Sequence, residues 1–257
     1  MSSTARPGDP PSTTTQPPDA NGVEAWEPYP SLVPNLDEVV TEDGKPVDNI
    51  LVEKLYKLLT ETLYVSWHPP GAQGRPFLAL ANVGWFHTMG EPAIVPDVLV
   101  SLDVVPRDPR TREGRSYFQW IMGKAPDLVV EIVSDRRADE AGEKMRQYAR
   151  LGLPYYVVYD PDDWLGGGVL RAFELRGRRY SAISPAWIEE MGLGLTQWPG
   201  RYLDIETTWL RWCDRHGAIL PTGIERAEQE RQRADDAEQR NQRLESQLRA
   251  LGVEPEV

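Results

Sequence analysis

The sequence has very few of the residues that build disulfides and zinc sites. Cys213 is the single cysteine, so neither an intrachain disulfide nor a cysteine-based zinc site can form. The three histidines, His68, His87 and His216, do not stand at metal-ligand spacing, and we expect each to be a surface or packing residue. Stability must therefore come from an ordinary hydrophobic core, and hydrophobic residues make up 40% of the chain.

Long apolar runs are also missing. No stretch of 18 or more apolar residues could span a membrane, and no apolar run near the N-terminus resembles a signal peptide. These features predict a cytoplasmic protein without a membrane partner. Likewise, no Walker loop, glycine-rich dinucleotide turn or nucleophile elbow points to the enzyme classes that use them.

Positive charge is scarce. The chain has 28 basic and 40 acidic residues, for a net charge of −12. Such a balance disfavours a protein that binds nucleic acid through a broad basic surface, although a few lysines and arginines could still cluster at a binding site.

Composition and periodicity divide the chain into five segments. Residues 1–31 are rich in Pro, Ser and Thr and predict a disordered tail. Residues 32–212 predict one folded domain, residues 213–223 a linker, residues 224–251 a coiled-coil helix and residues 252–257 a short tail.

The folded segment mixes helical and extended patterns. An apolar stripe predicts an amphipathic helix over residues 49–65, and a polar helix is predicted over residues 139–151, with Gly152 at its C-terminal end. Short apolar or β-branched runs predict strands at residues 77–83, 93–102, 128–133 and 155–159, with a hairpin around Gly177. This order is typical of an α/β sheet domain.

The C-terminal segment shows a heptad pattern. Its seam consists of Ala234, Ala237, Asn241, Leu244, Leu248 and Leu251. Asn241 falls at an a position, where a polar residue tends to fix the register of a two-stranded coil. A self-associating coil, and hence a homodimer, is predicted; the alternative is a solvated single helix.

Two acids stand inside apolar runs. Asp97 and Glu131 each interrupt a predicted strand, and a buried acid is costly unless it is paired, hydrogen-bonded or bound to metal. Asp127 cannot share an ion with Glu131, because residues four apart on a strand stand about 13 Å apart. Asp97 and Glu131 on neighbouring strands would suit Mg²⁺ or Mn²⁺. The alternative is that each acid lies at a strand end and meets solvent.

Several short motifs together resemble a known family. They are Val95-Pro-Asp-Val98, then Pro126-Asp-Leu-Val-Val-Glu-Ile-Val-Ser134, a helix with Glu143, Lys144 and Tyr148, and Gly152-Leu-Pro-Tyr-Tyr-Val-Val-Tyr-Asp-Pro161. This pattern, from Ile94 to Pro161, is similar to the Uma-type restriction endonucleases, a branch of the PD-(D/E)XK nucleases. The resemblance implies a restriction-endonuclease-like fold, a mixed sheet flanked by helices, with Mg²⁺-dependent (or Mn²⁺-dependent) hydrolysis of DNA phosphodiester bonds.

The resemblance also implies a catalytic cluster. Asp97 and Glu131 take the places of the two metal-binding acids, and Lys144 that of the catalytic lysine. The superfamily lysine normally stands two residues after the glutamate, where this chain has Val133. Asp135 stands where relatives usually have proline. The alternative for Lys144 is an ordinary helix pair with Glu140.

Other charged residues add weaker candidates. Glu53 or Glu61 of the first helix could supply a third acid, although such helix acids are usually solvated. Basic charge around the proposed site comes from Arg136, Arg137, Arg146 and Arg150 and could contact phosphates.

Two functions remain open. One is a metal-dependent DNA endonuclease that dimerises through its coil. The other is a catalytically inactive domain of the same fold that acts as a binding or assembly module; Val133 and the acidic charge favour it.

Overall fold

The computed structural model describes residues 50–134 and 140–251 of the chain. The predicted tails at 1–31 and 252–257 lie outside these residues. The structure also does not describe Asp135, Arg136, Arg137 or the side chain of Glu140. The alternative pairing of Lys144 with Glu140 therefore lies outside the described residues.

The described chain contains four α-helices, and two of them are long. The helices are α1 (Ile50–Ser66), α2 (Gln119–Met122), α3 (Met145–Leu151) and α4 (Gly223–Ala250). The strands are β1 (Phe77–Ala81), β2 (Trp85–Phe86), β3 (Val98–Leu102), β4 (Tyr117–Phe118), β5 (Leu128–Ile132), β6 (Tyr155–Tyr159), β7 (Leu170–Arg176), β8 (Arg179–Ile183), β9 (Gly194–Tyr202) and β10 (Ile205–Cys213). A 3₁₀ turn covers Arg112–Gly114, and a π-helical turn over Glu140–Lys144 leads directly into α3.

A six-stranded mixed sheet forms the centre of the fold. Its strand order is β1-β3-β5-β6-β7-β8. The β5–β6 pair is parallel, and the other pairs of this sheet are antiparallel. The predicted α/β class with a mixed sheet and flanking helices is confirmed, and the architecture is consistent with a restriction-endonuclease-like fold.

The central strands are buried on both faces. Every residue of β3, β5 and β6 is buried, which explains why these strands are continuous apolar runs rather than alternating patterns. Helix α1 and the β9–β10 hairpin cover one face, with Leu59 and Trp209 fully buried. The other face packs against α3 through Tyr148 and against Trp85. The first helix and the predicted strands thus lie within a few residues of their predicted positions.

The β9–β10 hairpin is not predicted by the sequence patterns above. Pro199 and Gly200 interrupt β9, and both residues disfavour a central strand. Here β9 belongs to a separate two-stranded sheet, where proline is tolerated because the pair has no further neighbour. Its tight turn places Leu203 and Asp204 at φ values of 44° and 65°.

Among the described residues, the contacts that anchor helix α4 lie at its first turn. Thr222 and Glu225 form a reciprocal capping box, and the buried Arg211 of β10 donates to both carboxylate oxygens of Glu225. The preceding segment, predicted as a linker, hydrogen-bonds back to β10 through Leu220. Beyond this turn α4 has no buried residue, so the coiled coil stays a prediction. Within the described residues, no helix is both long and apolar enough to cross a membrane.

Candidate metal and catalytic site

The pairing of β3 with β5 brings Asp97 and Glu131 together. Val98 pairs with Val130 in this antiparallel ladder, and Asp97 directly precedes β3. Continuing the register by one residue places Asp97 opposite Glu131. Directly opposed residues project to the same face of a sheet, with Cβ atoms about 5 Å apart. The two predicted acids therefore lie close enough to share one ligand.

Asp97 receives hydrogen bonds from two different elements. The Tyr56 hydroxyl of α1 donates to its Oδ1 at 2.5 Å. The main-chain N–H of Ile132 in β5 donates to its Oδ2 at 2.6 Å. The carboxylate is thereby fixed between the first helix and the neighbouring strand.

Glu131 is held from the opposite side, by α3 and the turn before it. The Tyr148 hydroxyl donates to Oε1 at 2.5 Å, and the Lys144 ammonium donates to Oε2 at 3.0 Å. The Glu131 side chain is 1% exposed, whereas that of Lys144 is 37% exposed. Lys144 thus bridges the buried acid and the solvent, from which a substrate would arrive.

Helical spacing accounts for this pair of donors. Lys144 ends the π-helical turn and directly precedes α3, and Tyr148 follows four residues later. Side chains four residues apart lie on the same face of a helix, so both reach Glu131. Single π-helical turns are often found at functional sites. Val133, at the usual lysine position, is instead buried in the core.

Burial dominates the electrostatics of the pair. It raises the pKa of Asp97 above its ordinary value, although the hydrogen bonds from Tyr56 and Ile132 oppose the change. Burial also raises the pKa of Glu131 to about 8, and the Asp97 charge adds to this effect while Lys144 and Tyr148 oppose it. Two acids this close cannot both ionise easily, so they share a proton until a cation replaces it.

The donor set fits a hard divalent cation. Carboxylate oxygens are the ligands that Mg²⁺ and Mn²⁺ prefer, and the pair has an excess of negative charge in a buried position. Among residues 50–134 and 140–251, no group of three or more His, Cys, Asp or Glu side chains could hold a metal ion. A cation at Asp97 and Glu131 would therefore take its other ligands from main-chain oxygens, water or substrate.

Other acids of the chain have local structural partners. Glu53 pairs with Lys54 and Lys57 on the surface of α1, so it does not join the site. Asp127 accepts from Lys124 and from the Leu102 N–H. These contacts distinguish such acids from Asp97 and Glu131, whose partners converge from separate elements.

Glu61 and Asp160 also lie apart from the pair. Glu61 is exposed and faces Gly223 at the start of α4. Asp160 is fully buried, but it accepts from the Trp164 and Leu165 N–H groups of its own loop. Neither helix acid considered from the sequence therefore supplies a third carboxylate.

Arg171 of β7 is a further cation on this face of the sheet. Glu131 pairs with Val158, and Val158 pairs with Arg171, so Arg171 lies two strands from Glu131, about 10 Å away between Cα atoms. Within the described structure, its Nε and Nη2 are buried without a hydrogen-bond partner. Two buried guanidinium nitrogens without a partner are costly, and an anion bound on this face would satisfy them.

The structure gives a contact at the site to two residues, Tyr56 and Tyr148, to which the sequence patterns assign no role there. Tyr56 belongs to the buried stripe of α1, where the other large residues are mainly leucines. Tyr148 is part of the motifs that resemble the family, but the sequence assigns it no role. A tyrosine at a buried helix position needs a partner for its hydroxyl, so each tyrosine indicates that a polar group lies nearby. It does not identify which acid the hydroxyl meets.

A comparison with known protein families identifies a family that this chain matches. The protein family described as "Uma2: Putative restriction endonuclease" matches residues 44–181, which is just over half of the chain. No curated protein matches the chain. The matched segment includes α1, the β3–β5 pair, α3 and β6, and therefore every residue of the site described above.

Proposed function

Because the chain belongs to the Uma2 family of restriction endonucleases, a membership that suggests a nuclease, we propose that it is a divalent-metal-dependent DNA endonuclease. Asp97, Glu131 and Lys144 are its proposed site. The observation that supports the proposal most directly is the buried Asp97–Glu131 pair with the Lys144 ammonium 3.0 Å from Glu131.

Asp97 and Glu131 would hold Mg²⁺ or Mn²⁺. When bound, such an ion lowers the pKa of its water and neutralises charge that builds on the phosphate. The protein's part is to fix the two carboxylates: Tyr56 orients Asp97 and Tyr148 orients Glu131. Partners of this kind typically change metal affinity 10- to 100-fold when removed.

Lys144 is the proposed catalytic cation. Its ammonium is partly exposed, so it can donate a hydrogen bond to the attacking water or to a phosphate oxygen while Glu131 holds it in place. A donor already oriented toward the developing charge lowers the barrier without reorganising in the reaction. Arg171, on the same face of the sheet, would add positive charge toward the substrate phosphate.

A homodimer through α4 belongs to the same proposal. The heptad seam of α4 is exposed, with Leu244 56% and Leu248 36% accessible. Two chains joined there would bring two sites to one DNA molecule, one for each strand.

A second candidate function is a non-catalytic assembly module with the same fold. Two observations favour it: Val133 is buried where the superfamily lysine normally stands, and the chain has a net charge of −12. In that case Lys144 would only neutralise Glu131.

Cleavage of supercoiled plasmid DNA tests the proposal. Wild type with Mg²⁺ or Mn²⁺ is compared with Glu131→Gln and Lys144→Ala, and we expect both variants to lose activity at least 100-fold. The matched controls are Glu53→Gln and Lys57→Ala, which change the same residue types in a solvent-exposed pair and should cleave like wild type.

Three results would decide against a nuclease that uses this site. These are a folded wild type that cleaves with neither metal, variants as active as wild type, or controls that lose as much activity as the site variants. The first would favour the assembly module, and the other two would place any cleavage outside this site.

A further inference from the structure

A groove lies between α3 and the turn that joins β7 to β8. Its volume is about 780 Å³. Arg146 and Arg150 of α3 line one wall, and Arg178 of the turn and Arg179 at the start of β8 line the other. Its remaining lining residues are Met145, Ala149 and Tyr180, so the lining that the structure describes has four cations, no acid and an apolar floor.

The four guanidinium groups are exposed and available for a ligand. In the part of the chain that the structure describes, none of them forms an ion pair or a hydrogen bond. Acids are plentiful in this chain, with 40 in total, and other exposed arginines do pair with them. Four like charges around one groove repel one another, and an anion in the groove would remove that repulsion.

This groove is separate from the Asp97–Glu131 site. Successive helix residues turn by about 100°, so Arg146 and Arg150 project roughly 200–240° around the axis from Lys144. Lys144 and Tyr148 face Glu131, and the two arginines face β8. The structure therefore does not support the prediction that Arg146 and Arg150 add charge at the catalytic site.

The floor of the groove favours a ligand with flat apolar groups as well as negative charge. Tyr180 is partly buried, and its hydroxyl donates to the Leu153 carbonyl at 2.8 Å, which fixes the ring beside Tyr156. Tyrosine rings stack nucleic acid bases without regard to sequence. Guanidinium groups bind phosphates in a bidentate manner, which an ammonium cannot do.

We propose that this groove binds a single-stranded nucleic acid segment, with its phosphates on the four arginines and a base against Tyr180. Binding here does not depend on catalysis at Asp97 and Glu131. It would give a strongly acidic protein a local contact for nucleic acid that its net charge does not predict.

Fluorescence anisotropy with a labelled single-stranded DNA oligonucleotide tests the proposal. The full-length protein is titrated in EDTA, so that no cleavage can occur. We expect Arg178→Gln with Arg179→Gln to weaken binding at least 10-fold near 0.1 M salt. The slope of log K against log salt should fall by about 1.4, because each phosphate contact contributes roughly 0.7 for single strands.

The matched control removes two arginines elsewhere. Arg110 and Arg201 are exposed and paired with Asp108 and Asp204, so Arg110→Gln with Arg201→Gln makes the same change in net charge outside the groove. This variant should keep wild-type affinity and salt dependence. A second groove variant, Arg146→Gln with Arg150→Gln, should weaken binding as the first does, and circular dichroism checks that each variant is folded.

The proposal would be overturned if the groove variants bound like wild type or if the control lost as much affinity. It would also be overturned if polyglutamate displaced the labelled strand as well as unlabelled strand does, since the groove would then be an acidic-peptide site. Because the titration in EDTA measures binding without cleavage, a failure of cleavage and a failure of this groove are told apart.

Discussion

Single residues determine how the candidate site responds to pH. The pKa of Glu131 is raised from 4.5 to about 8, so the folded protein binds this proton more tightly than the unfolded chain does. The stability linked to it is fully present below about pH 4.5 and is lost as the pH rises toward 8. Since one pKa unit corresponds to about 1.36 kcal/mol, the effect is on the order of a few kcal/mol.

We therefore expect the metal-free wild type to lose stability between pH 5 and 8 relative to Glu131→Gln, which has no proton to lose. Urea unfolding at several pH values measures this difference. Glu53→Gln, an exposed control, should follow wild type.

Mn²⁺ should stabilise wild type more at pH 8 than at pH 6, because the ion competes with the proton that the two acids share. An equal effect at both pH values would contradict metal binding to this pair.

The two tyrosine hydroxyls at the site allow a second test. Tyr148→Phe removes the 2.5 Å donor to Glu131 and leaves the ring packed between Trp85 and Tyr156. We expect a stability loss of about 1–3 kcal/mol, as when a buried acceptor is left without its donor, and Mn²⁺ affinity reduced 10- to 100-fold.

Isothermal titration calorimetry with Mn²⁺ measures the affinity, and urea unfolding measures the stability. Tyr202→Phe makes the same chemical change on the distant β9–β10 hairpin and should leave Mn²⁺ binding unchanged. If Tyr148→Phe lowered stability but not affinity, its hydroxyl would be a packing contact and not an orienting group of a metal site.

At the scale of elements, one ion pair attaches α4 to the sheet. Arg211 is 1% exposed and forms two hydrogen bonds with Glu225, while its guanidinium also lies 4.9 Å from the Trp198 ring. Removing one partner of a buried ion pair lowers the free energy of unfolding by more than the intact pair contributes, because the other charge remains buried without a partner.

Glu225→Ala should accordingly destabilise the protein by about 3 kcal/mol, near the low end for such pairs because Glu225 is 37% exposed. It also removes half of the capping box at Thr222. Glu228→Ala, one turn later, breaks only an exposed pair with Arg231 and should cost less than 1 kcal/mol. Chemical denaturation measures the free energy of unfolding of both variants. If Glu225→Ala and Glu228→Ala lost the same amount, the anchoring role of Arg211 and Glu225 would be refuted.

Whole-molecule behaviour depends on whether α4 associates. The seam residues Leu244 and Leu248 are solvent-exposed in the single chain, and a charge at either position would oppose a coiled coil. We expect wild type to be a dimer by light scattering and Leu244→Lys with Leu248→Lys to be a monomer.

The control places the same charge on the opposite side of the helix. Gln239→Lys with Ser246→Lys should remain dimeric, because positions 239 and 246 lie away from the seam. A wild type that is monomeric at all concentrations would leave α4 as a solvated helix, and equal dissociation of both variants would indicate a general effect of charge.

Local patterns were sufficient for much of the fold. The helical stripe of α1, the apolar runs of β3, β5 and β6, and Gly152 after α3 depend on residues a few positions apart, and their positions agree with the structure within a few residues. Asp97 and Glu131 were visible for the same reason, as acids inside apolar runs. Proline and glycine in β9 obscured the last hairpin, since their tolerance there depends on which strands it pairs with.

Only the tertiary structure decided which side chains come together at the candidate site. The register that pairs Val98 with Val130 places Asp97 opposite Glu131, and the packing of α1 brings Tyr56 to Asp97 across 41 residues of sequence. The rotation of α3 about its axis turns Arg146 and Arg150 away from the site and toward Arg178 and Arg179. The sequence by itself determined which segments become strands and helices, because propensity and periodicity are local. Strand pairing and helix rotation decided which charges meet, because these depend on how the whole core packs.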